Sequence, residues 1–144
     1  MTIDAFSSVE CPRLPVKALT PAGIPNIINL NFEIGNIGNT AAVDAIVTKT
    51  ILVPEGVVLT VLDNAGSIIS PVGTVFTAGP NSFVYTGVTI PAMTGNYTPL
   101  LGYTVTLQVA AGTLPTTLTE VTQVVATGDV NPGNNVAICY ITLK

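Results

Sequence analysis

The chain has 144 residues, enough for one domain with a substantial core. Hydrophobic residues make up 48% and charged residues 8%, with four Lys or Arg against eight Asp or Glu and a net charge of -4. The sequence therefore lacks the clustered cations that nucleic acid binding needs, and with no His it lacks the commonest general base and metal ligand.

The opening stretch, "MTIDAFSSVECPRLP", has neither the basic n-region nor the apolar h-region of a secretory signal peptide. It holds Asp4, Glu10, Arg13, Cys11 and two prolines, and shows no sustained alternation. Residues 1–15 are read as a flexible arm and 16–144 as a β-sandwich domain. A short strand is expected at "VKALT", before "PAGIP" breaks the chain. In "INLNFEI", Ile28, Leu30, Phe32 and Ile34 alternate with Asn29, Asn31 and Glu33, the period of a half-buried strand. "GNIGNT" is a turn, and "AVDAIVTKTILV" is the next strand, ended by "PEG". "VVLTVLD" follows, then "NAG" as a turn and "SIISPVGTVF" as a strand. The remaining strands are "NSFVYTGVTI", "YTPLLGYTVTLQVA", "TTLTEVTQVVAT" and "NVAICYITLK". Short strands at near-regular spacing, with no helical period, predict an all-β protein. The fold class is an Ig-like or jelly-roll β-sandwich of seven to nine strands. No apolar run approaches the roughly 18 residues of a membrane span.

Two stretches carry a resemblance. "NFEIGNIGNTAAVDAIVTKTILVPEGVVLTV" and the closing "GDVNPGNNVAICYITL" resemble the Ig-like conserved-repeat modules of bacterial surface proteins, the domain of unknown function numbered eleven. The shared pattern is an Asn-x-Gly turn, a Pro-x-Gly before the third strand, and a closing Asp-x-Asn-Pro-x-Asn-Asn. It spans roughly Ile28 to Leu143. The chain departs from it where Ile51-Leu52-Val53 precedes Pro54, since the family usually has an Asp there. The resemblance implies an extracellular Ig-like sandwich used as a stalk, spacer or fibre unit. In architecture alone the chain is also similar to bacterial endospore appendage subunits, with their Cys-bearing N-terminal arm.

Several side chains could carry chemistry. Asp129, Asn131 and Asn134 offer oxygens for calcium, yet supply one carboxylate where several are usual, so Pro132-Gly133 reads as a turn and no metal is expected. Some surface sandwiches join a Lys on an early strand to an Asn on the last, assisted by a buried acid. Lys17, Asn134 or Asn135, and Glu33 or Asp44 are the residue types for such an isopeptide bond. The scattered acids and the absent His leave no catalytic residues, so no enzyme and no cofactor are expected. The "NYT" sequon at Asn96 is read as chance. Cys11 and Cys139 admit three states: two free thiols, an intrachain disulfide, or an interchain disulfide from arm to neighbour. An extended arm of that length reaches on the order of 30–50 Å, so the interchain pair is carried forward as the site candidate.

The expected role is a structural subunit of an extracellular or spore-surface, pilus-like fibre. Its partner is itself, in a head-to-tail homopolymer assembled through the arm, with no nucleic acid and no membrane span. The alternative is a spacer or binding module from a larger bacterial surface adhesin.

Overall fold

The computed structural model describes residues 1–12, 15–19, 21–23, 26–54, 57–67, 75–78, 82–111 and 114–144. Its strands are β1 (Ala5–Val9), β2 (Ile27–Asn36), β3 (Ala42–Leu52), β4 (Val57–Ser67), β5 (Val75–Ala78), β6 (Ser82–Ile90), β7 (Leu100–Ala111), β8 (Thr116–Val125) and β9 (Val136–Leu143). They form two antiparallel sheets, in the orders β1-β2-β7-β4 and β5-β6-β3-β8-β9, and there is no α-helix among the described residues. The alternation read from the sequence sets the inner faces. Ile28, Leu30, Phe32 and Ile34 of β2 are buried against Val47 and Ile51 of β3 and against Phe83 and Tyr85 of β6.

Two expectations are corrected here. The "NAG" turn is absent: β4 continues through Asn64, Ala65 and Gly66, paired with β7. Register shifts between Val61 and Asp63 and between Asp63 and Gly66 take up the small residues, as bulges do, and the long β7 continues beside them. Residues 68–74 of the next expected strand lie outside the described residues. The second correction concerns the arm. Residues 5–9 form β1, an edge strand paired with β2 from Ala5 opposite Asn36 to Val9 opposite Phe32.

The "GNIGNT" segment explains why β1 docks. Asn36 is fully buried, and its side chain fills all four hydrogen-bond positions. Its Oδ1 accepts from the backbone N–H of Asp4 (3.1 Å) and Gly38 (2.9 Å), and its Nδ2 donates to the carbonyls of Thr40 (2.8 Å) and Ile90 (3.3 Å). Asn39 Oδ1 accepts from the Thr2 N–H at 2.7 Å. A side chain at Gly38 would collide with the backbone of Thr2 and Asp4, and one at Gly35 with the Phe6 ring and Leu100. Both glycines thus make room for residues 2–6. Asn36→Ala removes this partner from four backbone groups, two of them in fully buried bonds, and is expected to destabilise the fold by on the order of 3 kcal/mol. A urea midpoint that falls at unchanged slope checks this.

Candidate functional site: a charge-poor sheet face and its brace

The brace is a disulfide. Cys11 lies two residues beyond the end of β1, and Cys139 is buried on the inner side of β9. They are bonded within one chain, with Cα atoms 5.6 Å apart across 128 residues of sequence. The interchain pairing carried forward from the sequence is therefore corrected. Because β1 docks on its own sheet, the chain delivers Cys11 to its own closing strand. Beyond Cys11, residues 16–18 run parallel to the free edge of β9. Val16 N–H donates to the Thr142 carbonyl (2.8 Å), Lys144 N–H to that of Val16 (2.9 Å), and Ala18 N–H to that of Lys144 (3.0 Å). This segment edges the last strand.

The closing loop is the second wall of the arm's seat. Val130 N–H donates to the Ile3 carbonyl at 2.8 Å, Asn134 Nδ2 to Asp4 Oδ1 at 2.8 Å, and Ser7 Oγ to the Asn135 carbonyl at 2.8 Å. Asp129 Oδ1 accepts from the Asn131 N–H at 3.0 Å, and Pro132–Asn134 forms a single 3₁₀ turn. The turn read from the sequence is thus present at Pro132-Gly133, with Asp129 bonding its own loop and Asn134 reaching across to the arm.

The isopeptide residues are dispersed. Lys17 is exposed beside the end of β9. Asn134 precedes the start of that strand, about 25 Å away at the usual rise per residue. Glu33 is exposed on β2, and Asp44, at φ 56°, is exposed in the bulge that opens β3. A different Lys and acid meet in the core. Lys49 of β3 and Glu120 of β8 are both fully buried, with Nζ 2.9 Å from Oε1. Lys49 Nζ also lies 3.0 Å from Thr122 Oγ1 and 4.6 Å from the centre of the Phe32 ring on the facing sheet. Burial pushes the Lys49 pKa down and the Glu120 pKa up, each only partly offset by the partner's charge and hydrogen bond. Both shifts favour a neutral amine beside a neutral acid. The sequence reasoning missed this pair, although its signal was there: Lys49 keeps the inward phase of Val47 and Ile51, and Glu120 that of Leu118 and Val124.

The outer side of the five-stranded sheet has the opposite character. In one row Leu52, Thr119 and Tyr140 stand side by side, and in the next Thr50, Val121 and Ile138. Tyr140 is 64% exposed, Leu52 57% and Ile138 54%. Across β3, β6, β8 and β9, Asp44 in the bulge is the sole exposed charge. Ordinary outer faces carry many more charges. Hollows beside β1, lined by Glu10, Asn31 and their neighbours, hold about 230 and 210 Å³. These are below the roughly 300–1,000 Å³ of small-molecule sites.

No protein-family model and no curated protein sequence matches this chain. Solved structures do. The seventh ScaB type I cohesin from Pseudobacteroides cellulosolvens superposes with a TM-score of 0.57 at 10% identity, covering 96% of this chain and 92% of that one. The sixth cohesin of scaffoldin B from Acetivibrio cellulolyticus, solved in complex with a Cel5 dockerin, gives 0.56 at 8% identity and full coverage of both chains. A major pilin subunit of Bacillus cereus gives 0.53 at 11% identity, covering 99% of this chain and 39% of that one. At these identities the similarity is one of fold, a β-sandwich of the cohesin type.

The brace makes a direct prediction. On a denaturing gel without reductant the protein runs as a monomer with no titratable thiol. Reduction lowers stability by about 4–5 kcal/mol, because the bond closes nearly the whole chain. A ladder of covalent oligomers would mean that Cys11 reaches a neighbour.

Proposed function

We propose that this chain is a structural subunit of a bacterial surface assembly, a pilus-like extracellular or spore-surface fibre, in which the charge-poor sheet face packs against the next copy. The face itself carries the reading. A chain of net charge -4 repels its own kind, and two copies meet at least electrostatic cost on strands where Asp44 is the sole exposed charge. Rows of Thr, Val, Ile and Tyr on the sheet's outer side offer apolar area with few long flexible side chains to immobilise. A fibre requires that the face meet a different surface of the next copy, since a face meeting itself closes into a dimer. The arm is not the connector in this reading. It braces the subunit, and a disulfide that closes the chain suits an oxidising exterior. The two turn motifs that resemble the conserved-repeat surface modules support the same setting, and the pilin fold is compatible with it. No catalysis is assigned.

The second reading is a docking module whose face receives another protein. The cohesin fold favours it, and a cohesin of this fold has been solved with a dockerin bound.

Paired substitution of Leu52→Lys and Ile138→Lys tests both. The positions are exposed, so the fold is expected to survive. Wild type is expected to self-associate with rising concentration in sedimentation velocity and to form filaments in negative stain. The double variant should associate at least about 10-fold more weakly, from roughly 1.4 kcal/mol lost. Equal association by both proteins counts against this face. A wild type that stays monomeric at millimolar concentration removes the fibre and leaves the docking module.

A further inference from the structure

We propose that Lys49 and Glu120 condense in the folded protein to an amide, a covalent crosslink joining β3 to β8 inside the core. The geometry brings the reacting groups together and removes water from around them. Nζ lies 2.9 Å from Glu120 Oε1, and both side chains are fully buried. The Phe32 ring of the facing sheet covers the amine, with its centre 4.6 Å from Nζ. The other carboxyl oxygen, Oε2, is buried with no hydrogen-bond partner among the described residues, an arrangement that penalises a carboxylate.

An amine attacks a carboxyl group only as the free base, and the carboxyl group accepts attack far better as the acid than as the carboxylate. Transfer of one proton along the 2.9 Å hydrogen bond produces that pair, and burial favours it through the downward shift of Lys49 and the upward shift of Glu120. The Nζ lone pair then adds to Glu120 Cδ. The Thr122 hydroxyl, 3.0 Å from Nζ, takes a proton from nitrogen and passes its own to the departing carboxyl hydroxyl. One C–N bond forms, one C–O bond breaks, and one water leaves. No electron is transferred and no co-reactant is needed. The two groups are held by adjacent strands, so the bimolecular condensation becomes intramolecular. Its product replaces two buried ionisable groups with one neutral amide, removing the desolvation that the pair bears. The crosslink is independent of what the outer face docks, because it lies on the other side of the sheet.

The test is the intact mass of the folded, aged wild-type protein after reduction and denaturation. The expected mass is that of the sequence less one water. Peptide fragmentation should find a branched species joining the segments around Lys49 and Glu120, with Lys49 refractory to acylation. Lys49→Met should have the full mass of its sequence. Fragmentation of the wild type locates the bond whether or not that variant folds. A wild-type mass equal to that of the sequence, with Lys49 freely acylated, overturns the proposal. So does a missing water that persists in Lys49→Met.

Discussion

A single buried amide, that of Asn36, sets the frame. It binds the N-terminal segment at Asp4, the turn at Gly38 and Thr40, and the end of β6 at Ile90. Those groups belong to both sheets and to the arm, so one side chain fixes how the three meet. A buried amide with all its positions filled tolerates little shift, since each broken bond would leave a group unsatisfied. Everything placed downstream of this junction inherits its accuracy. The pairing of β1 with β2 follows, then the arrival of Cys11 beside Cys139, then the run of residues 16–18 along β9.

The core departs from simple apolar packing at Lys49 and Glu120. Replacing such a pair with apolar side chains is often neutral or stabilising, so stability alone gives a weak reason to keep it. The pair bridges β3 and β8 within the five-stranded sheet, on the side opposite the charge-poor outer face. Two ionisable groups thus lie inside a sheet whose outside has almost no charge. An amide between the strands would reconcile the two, giving a tough sheet with no ionised group within it.

The surface follows the same economy. The arm and the 16–18 segment occupy the edges of β2 and β9, which would otherwise offer unpaired backbone groups to other chains. The sheets still end at β1, β4 and β5. The proposed fibre depends instead on the outer rows of Thr, Val and Ile.

Much of this was legible in the sequence. Strict alternation in "INLNFEI" determined β2 and its buried face, because period two admits only one sheet-facing set. Thr- and Val-rich segments divided by Gly, Pro and Asn determined an all-β sandwich, and "VNPGNN" read correctly as a turn. The seat of the arm was not legible. "MTIDAFSSV" has too little alternation to be recognised as a strand, and its pairing depends on Gly35, Asn36, Gly38 and Asn134, which are distant in the chain. The partner of Cys11 was undetermined for the same reason: sequence supplies the reach of an arm, and only its docking supplies the direction. Lys49 and Glu120 each showed an inward phase, but a lone inward charge has no meaning until the sheet order brings β3 beside β8. Periodicity is a property of one segment and survives in the sequence, whereas pairing is a property of two segments and exists only once the chain has folded.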